Sequence, residues 1–128
     1  MRLLLDTHAF VWAVASPERL SGAATEAIRS PGNQLFLSSA SAWELATKFR
    51  IGKLPQAEPL LDGYESLAED LTAQLLPITH RHAILAGLLP GEHRDPFDRM
   101  LVAQAQLEGL HIVTRDPAFD AFDVGVVW

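Results

Sequence analysis

Cysteine is absent from the 128-residue chain. That excludes a disulfide framework, a thiolate nucleophile and a cysteine-ligated zinc site, and a reducing compartment fits. Basic residues are scarce: ten Lys and Arg stand against sixteen Asp and Glu, a net charge of −6. On charge alone this speaks against a phosphate-rich partner, because such affinity normally comes from Lys and Arg. Long apolar runs are missing as well. Arg2, Leu3-Leu4-Leu5 and Ala13-Val14-Ala15 imitate a secretory signal, but Asp6 and His8 break the run after three leucines. Nothing approaches the ~20 apolar residues of a membrane helix. The expectation is a cytoplasmic protein without a membrane segment, whose first residues belong to the fold. Gly and Pro number only 8 each, which excludes collagen-like and Pro-rich low-complexity character. Hydrophobic residues make up 48% and charged residues 20%, so the chain is not intrinsically disordered and one domain over residues 1–128 is expected.

What is present alternates between strands and helices. Residues 2–5 read as a buried parallel strand, and the almost wholly apolar residues 8–15 as a buried helix. Ser21 caps a helix to about Arg29, and Gln34–Leu37 reads as a second strand. Ser39–Phe49 is helical, closed near Gly52, and residues 59–70 form one amphipathic stretch. A third strand covers 73–78. Thr79 caps a helix that runs to Leu88 before Pro90-Gly91. Asp95-Pro96 opens a helix through Glu108, with Gly109 at the left-handed C-terminal position. Strands at 110–114 and 124–128 follow. The alternation implies a parallel sheet covered on both faces, an α/β architecture.

Four acids lie where such a sheet places chemistry. Asp6 follows the first strand, Glu44 lies in the first turns of the helix after the second, and Asp116 follows the fourth. Strand C-termini and the helix N-termini after them share one edge, where ligands bind. Asp98, in the first turn of the helix from Pro96, joins that edge only if its helix packs with its N-terminus toward it. Each acid also has a purely structural reading. Asp6 caps a helix, Ser41–Glu44 matches a capping box, and Glu44 pairs with Lys48 at i,i+4. Asp98 favours a helix N-terminus, and Asp116-Pro117 reads as a turn. The functional reading rests on all four recurring at matching positions. Clustered carboxylates repel and must protonate in part, pair with bases, or bind cations. Oxygen ligands without cysteine select Mg²⁺ or Mn²⁺ over zinc, and such an ion reconciles an acidic protein with an anionic substrate. No His-x3-His or His-Glu-x2-His spacing supports zinc. His80 and His82 diverge at i,i+2, and His8 and His93 adjoin the acid motifs.

At these residues the sequence resembles the PIN-domain ribonucleases, specifically the VapC toxins of type II toxin–antitoxin pairs. The matching stretches are Leu3–His8, Ser38–Glu44, Ile51–Leu54, His93–Ala105 and Ile112–Asp116, in order and across essentially the whole chain. The resemblance implies a three-layer α/β/α sandwich with a mainly parallel sheet of order 3-2-1-4-5. It maps the family's metal-binding and catalytic acids onto Asp6, Glu44, Asp98 and Asp116, with Mg²⁺ or Mn²⁺ as cofactor. It also implies hydrolysis of RNA phosphodiester bonds, a VapB-type antitoxin partner and a homodimer. Thr7, Asp95, Arg99 and Thr114 are candidates for supporting the site or touching substrate. Thr114 orients an acid or a water, or satisfies a strand-end carbonyl. Asp95 is placed as the helix N-cap, close enough to the site to support it.

Among the bases, Lys48, Arg50 and Lys53 follow Glu44, while Arg94, Arg99 and Arg115 flank the acid motifs. They track phosphates or balance the neighbouring acids. Trp12, Trp43, Phe49 and the leucines of 54–67 exceed what short amphipathic helices need, and serve the core or a partner. The competing readings are a PIN-like module that binds RNA or an antitoxin without cleaving, and a haloacid-dehalogenase-type phosphatase. The phosphatase normally has a second Asp two residues after its nucleophile, where this chain has His8. A binding-only module would be marked by a lost acid, and none is lost.

Overall fold

The computed structural model of the protein describes residues 1–128. Its sheet contains β1 (Arg2–Leu5), β2 (Gln34–Ser38), β3 (Ala73–Leu76), β4 (His111–Val113) and β5 (Val126–Val127). All pairings are parallel and the order is β3-β2-β1-β4-β5, as the resemblance implied. Leu5 pairs with both Leu37 and Val113. The next residues, Asp6, Ser38 and Thr114, therefore leave three adjacent strands at one level.

Side chains on a strand alternate between faces, and the core divides accordingly. Leu3, Leu5, Leu35 and Leu37 pack in one cluster with Phe10 and Leu45. Leu4, Phe36 and Ile112 face the other way, onto Met100, Leu101 and Phe119. On the first side lie α1 (Thr7–Ala15) and α2 (Gly22–Arg29), together with the short α4 (Glu58–Asp62) and α5 (Tyr64–Asp70). On the second lie α6 (His80–Leu88) and α7 (Pro96–Glu108). The helix α3 (Ser39–Arg50) contributes Ala40 to one cluster and Leu45 to the other. No helix is long and apolar enough to cross a membrane.

Several local readings change. The stretch 59–70 divides at Gly63, which separates α4 from α5. The third strand stops at Leu76, before Pro77, because proline lacks the ladder N–H. α1 is not buried all round: Thr7, Ala9 and Phe10 are buried, whereas Val11 to Val14 are half-buried. Its second apolar face borders open cavities rather than another layer. Ser41 does not cap α3. Ser38 does, accepting from the Ala40 N–H at 2.9 Å, and this leaves the Ser41 and Glu44 side chains for other partners.

Asp95 caps α7 by accepting from the N–H groups of Phe97 and Asp98 at 2.8 and 3.3 Å. Arg99, a candidate for phosphate contact or for balancing a neighbouring acid, instead donates to the backbone. Its Nε donates to the Ala86 carbonyl at 2.9 Å, its Nη1 to His93 at 3.0 Å, and its Nη2 to Leu89. A planar fork with fixed donors suits this clamp of the α6–α7 connection. Arg99→Ala leaves three carbonyls without that donor and should lower stability by about 2–4 kcal/mol. Urea unfolding at constant m value checks this, and an unchanged midpoint would contradict the clamp.

Candidate metal centre

Asp6 starts the site because β1 delivers it to the sheet edge and the chain then turns into α1. As N-cap it accepts from the Ala9 N–H through Oδ1 at 2.6 Å. The Thr114 hydroxyl, level with it on the neighbouring strand, donates to Oδ2. Asp6 is 5% exposed, and burial pushes its carboxyl above the usual range against the opposing effect of these two donors. The capping reading and the site reading thus hold together: one oxygen serves the helix and the other faces Thr114.

Thr7 lies one residue on and donates toward Glu44. Its hydroxyl is 2.6 Å from Glu44 Oε1 and 3.0 Å from Ser41 Oγ. Glu44 Oε2 accepts from Lys48 Nζ at 2.5 Å, so the i,i+4 pair forms. The Glu44 side chain is 5% exposed and Lys48 32%. The pair therefore points a buried carboxylate inward and leaves its cation at the surface.

Asp98 arrives from the third direction, in the first turn of α7. His93 Nε2 lies 2.9 Å from its Oδ2. Burial raises the Asp98 pKa to about 6, and the nearby Asp95 and Glu44 carboxylates add to the rise, against the opposing His93 bond. Glu44 acts on Asp6 in the same sense. Three carboxylates from α3, α7 and the end of β1 therefore share one electrostatic neighbourhood, in which the Glu44 charge adds slightly to the rise at both others.

Asp116 stands apart from that buried group. It is exposed and caps the turn Pro117–Ala121 through the Ala118 N–H at 2.9 Å. Its own N–H donates to Thr114 Oγ1 at 3.0 Å. It lines a cavity of about 240 Å³ with Asp6, His8, Trp12, Arg115 and Pro117. Thr114 is thereby the link between Asp6 and Asp116: it orients an acid and does not satisfy a strand-end carbonyl.

As placed, no three His, Asp or Glu side chains encircle a common point at ion-binding distance. Each buried carboxylate rests on a protein donor instead: Thr114 and Ala9, Thr7 and Lys48, or His93. The donor set is nevertheless oxygen-rich and free of cysteine. Two of its carboxyls are held toward the proton-bound form by burial, which is the chemistry a hard divalent ion relieves. Sequence reasoning did not find the His93–Asp98 contact or the place of Ser41. The first was hidden by the loop between α6 and α7, and the second by the shifted cap. The signal available for His93 was its position five residues before Asp98.

A model of the PIN domain family matches residues 3–125. Ribonuclease VapC22 of Mycobacterium tuberculosis is 35% identical over 116 residues, covering 89% of this chain and 86% of that protein. The solved VapBC2 of Rickettsia felis, bound to a DNA fragment from its promoter, shares the fold. Its TM-score is 0.69 at 15% identity, over 98% of this chain and 97% of the other. A toxin–antitoxin complex from Klebsiella pneumoniae gives a TM-score of 0.62 at 20% identity, over 98% and 96%. With the pattern matched from the first strand to the last, in sequence as in strand order, the chain belongs to the PIN domain family and to its VapC group.

Proposed function

We propose that the protein is a Mg²⁺- or Mn²⁺-dependent endoribonuclease, the toxin of a toxin–antitoxin pair, hydrolysing RNA phosphodiester bonds at Asp6, Glu44, Asp98 and Asp116. The observation that carries this reading is geometric: Asp6 and Glu44 are buried at one sheet edge on the Thr114 and Thr7 hydroxyls, with Asp98 in the first turn of α7 beside them. Carboxylates far apart in sequence are brought together at a sheet edge, where their mutual repulsion has no structural use. Asp6, Glu44 and Asp98 would hold the ion, and Asp116 would complete the set from the exposed side. When bound, a divalent ion there compensates phosphoryl charge and makes water more acidic. The chain's own residues do the rest. Thr114 orients Asp6, and Thr7 with Ser41 orients Glu44. Lys48 and His93 hold Glu44 and Asp98 in place. The net charge of −6 is no obstacle, since the field at a loaded site need not follow it.

The same reading supplies partners: an antitoxin of the VapB type and a second copy of the chain. Apolar surface is available for them. Ile84 and Leu88, a turn apart on α6, are 59% and 76% exposed, and Trp43 is 53% exposed. A module that binds without cleaving would be marked by a missing acid, and all four are present.

Asp6→Asn keeps the helix cap and should lower Mn²⁺-dependent RNA cleavage at least about 100-fold, as should Asp98→Asn. End-mapping of the cut RNA with purified protein decides it, and unchanged cleavage by a folded variant removes the assignment. A second expectation concerns pH. Folded Asp98 keeps its proton to about pH 6, whereas the unfolded carboxyl releases it near 3.8. The folded state therefore binds more protons between those values, and ion-free stability falls as pH rises through that window. The loss is on the order of 2–3 kcal/mol. Asp98→Asn should flatten this slope and should also abolish the rise in melting temperature that Mg²⁺ or Mn²⁺ gives the native protein. Thermal scans from pH 4 to 7, with and without the ions, read both effects. Sedimentation at micromolar concentration should report about twice the 14.0 kDa chain mass; a strict monomer contradicts the dimer.

A further inference from the structure

Resting on the metal-centre reading, we propose that Trp43 and Phe97 are positioning residues: their ring contact sets the separation of Glu44 and Asp98, and with it the affinity for the divalent ion. Each aromatic directly precedes an acid, Trp43 before Glu44 on α3 and Phe97 before Asp98 on α7. The two rings meet edge-to-face, with centroids 4.7 Å apart and planes at 76°. Ring quadrupoles favour that arrangement over a face-to-face sandwich. Successive residues of a helix diverge by about 100°. The rings therefore project away from the direction of the acids, and their contact fixes how the two acid-bearing turns face each other.

Core packing alone does not account for the pair. Neither residue belongs to either core cluster, and Trp43 is 53% exposed. A ring half in water returns only part of the stabilisation that a sealed indole gives. What the pair does is complete a two-point attachment of α3 to α7. At the start of α3, Ala40 packs with Met100 and Leu101, and Ser38 donates to Gln104 at 2.5 Å. Gln104 lies six residues past Asp98, about 9 Å along the helix axis. By itself that point leaves the first turn of α7 free to tilt and carry Asp98 away from Glu44. Arg99 ties the turn to the preceding connection, not to α3. No hydrogen bond links residues 39–50 to residues 95–108. The acids also keep separate partners, Thr7 and Lys48 for Glu44 and His93 for Asp98, so no bridging side chain sets their distance. Carboxylates without such a restraint are driven apart by their repulsion, whereas an ion shared between them needs its ligands held to within about 0.5 Å. The ring contact, one residue from each acid, supplies the restraint.

The test is calorimetric titration of the full chain with Mn²⁺. Trp43→Leu and Phe97→Leu, which keep apolar volume without a ring, should each weaken Mn²⁺ binding about ten-fold. The double variant should be no weaker than either single one, because both remove the same contact. Trp43→Phe, which keeps a ring at the contact, should stay within about two-fold of the native affinity. At saturating Mn²⁺ the KM for RNA should not change, since neither ring is assigned to substrate. Circular dichroism verifies folding, and if Phe97→Leu unfolds, Trp43→Leu and Trp43→Phe decide the matter. Native Mn²⁺ affinity in folded Trp43→Leu, or additive losses in the double variant, overturns the proposal and leaves the pair to packing. A raised KM with native Mn²⁺ affinity overturns it in favour of substrate contact. No Mn²⁺ uptake by the native protein defeats the metal-centre reading and the proposal together. Uptake that Asp98→Asn abolishes and Trp43→Leu leaves intact defeats the proposal alone.

Discussion

Burying carboxylates at the end of a parallel sheet is the constraint around which the rest of this molecule is arranged. Asp6 leaves β1 level with Ser38 and Thr114 because the register pairs Leu5 with Leu37 and Val113. A carboxylate taken out of water must find donors, or keep its proton. The neighbouring strand provides the Thr114 hydroxyl, and the following helix provides the Ala9 N–H. Thr7, itself bonded to Ser41, and Lys48 do the same for Glu44. The hydroxyl residues around the acids follow from the acids.

The third carboxylate depends on packing that lies well outside the site. Asp98 feels the Glu44 charge only because α7 docks with its N-terminus toward the strand ends. Two polar ties hold that helix, one of them fully buried. Gln104 is fully buried and accepts from the Ser38 hydroxyl at 2.5 Å, which joins α7 to β2. Arg99 binds the carbonyls of the preceding connection, the one that carries His93. His82 adds a further link. It accepts from the Thr79 N–H and pairs with Glu108 at 2.9 Å, tying α6 to the far end of α7. Polar groups sealed in a core stabilise one arrangement over its near neighbours because every alternative leaves them unpaired.

Much of this was legible in the residues. The strand at 2–5, the caps at Ser21, Thr79 and Asp95, and the left-handed Gly109 each follow from local chemistry, and each appears as read. The Glu44–Lys48 pair was readable too, because i,i+4 neighbours on a helix meet whatever surrounds them. The misreadings share a cause. Ser41 looked like a cap because the motif fits, but the helix begins three residues earlier, where Ser38 ends its strand. The backbone partners of Arg99 were hidden because they lie at the end of α6 and in the loop after it, which has no periodic signature. α1 looked buried because it is apolar, yet one of its faces walls two cavities.

From the residues alone came the alternation of strand and helix, the absence of any thiol chemistry, the identities of the four acids and the family they match. Those depend on spacing and residue type, which survive without coordinates. Only the folded arrangement decided which acids are buried, that Glu44 shares a sheet edge with Asp6 and Asp98, and that Asp116 stays in solvent. It also decided which cations are occupied and which aromatic ring meets the open cavities. These are matters of distance between segments up to 108 positions apart, and a local pattern carries no record of such distances.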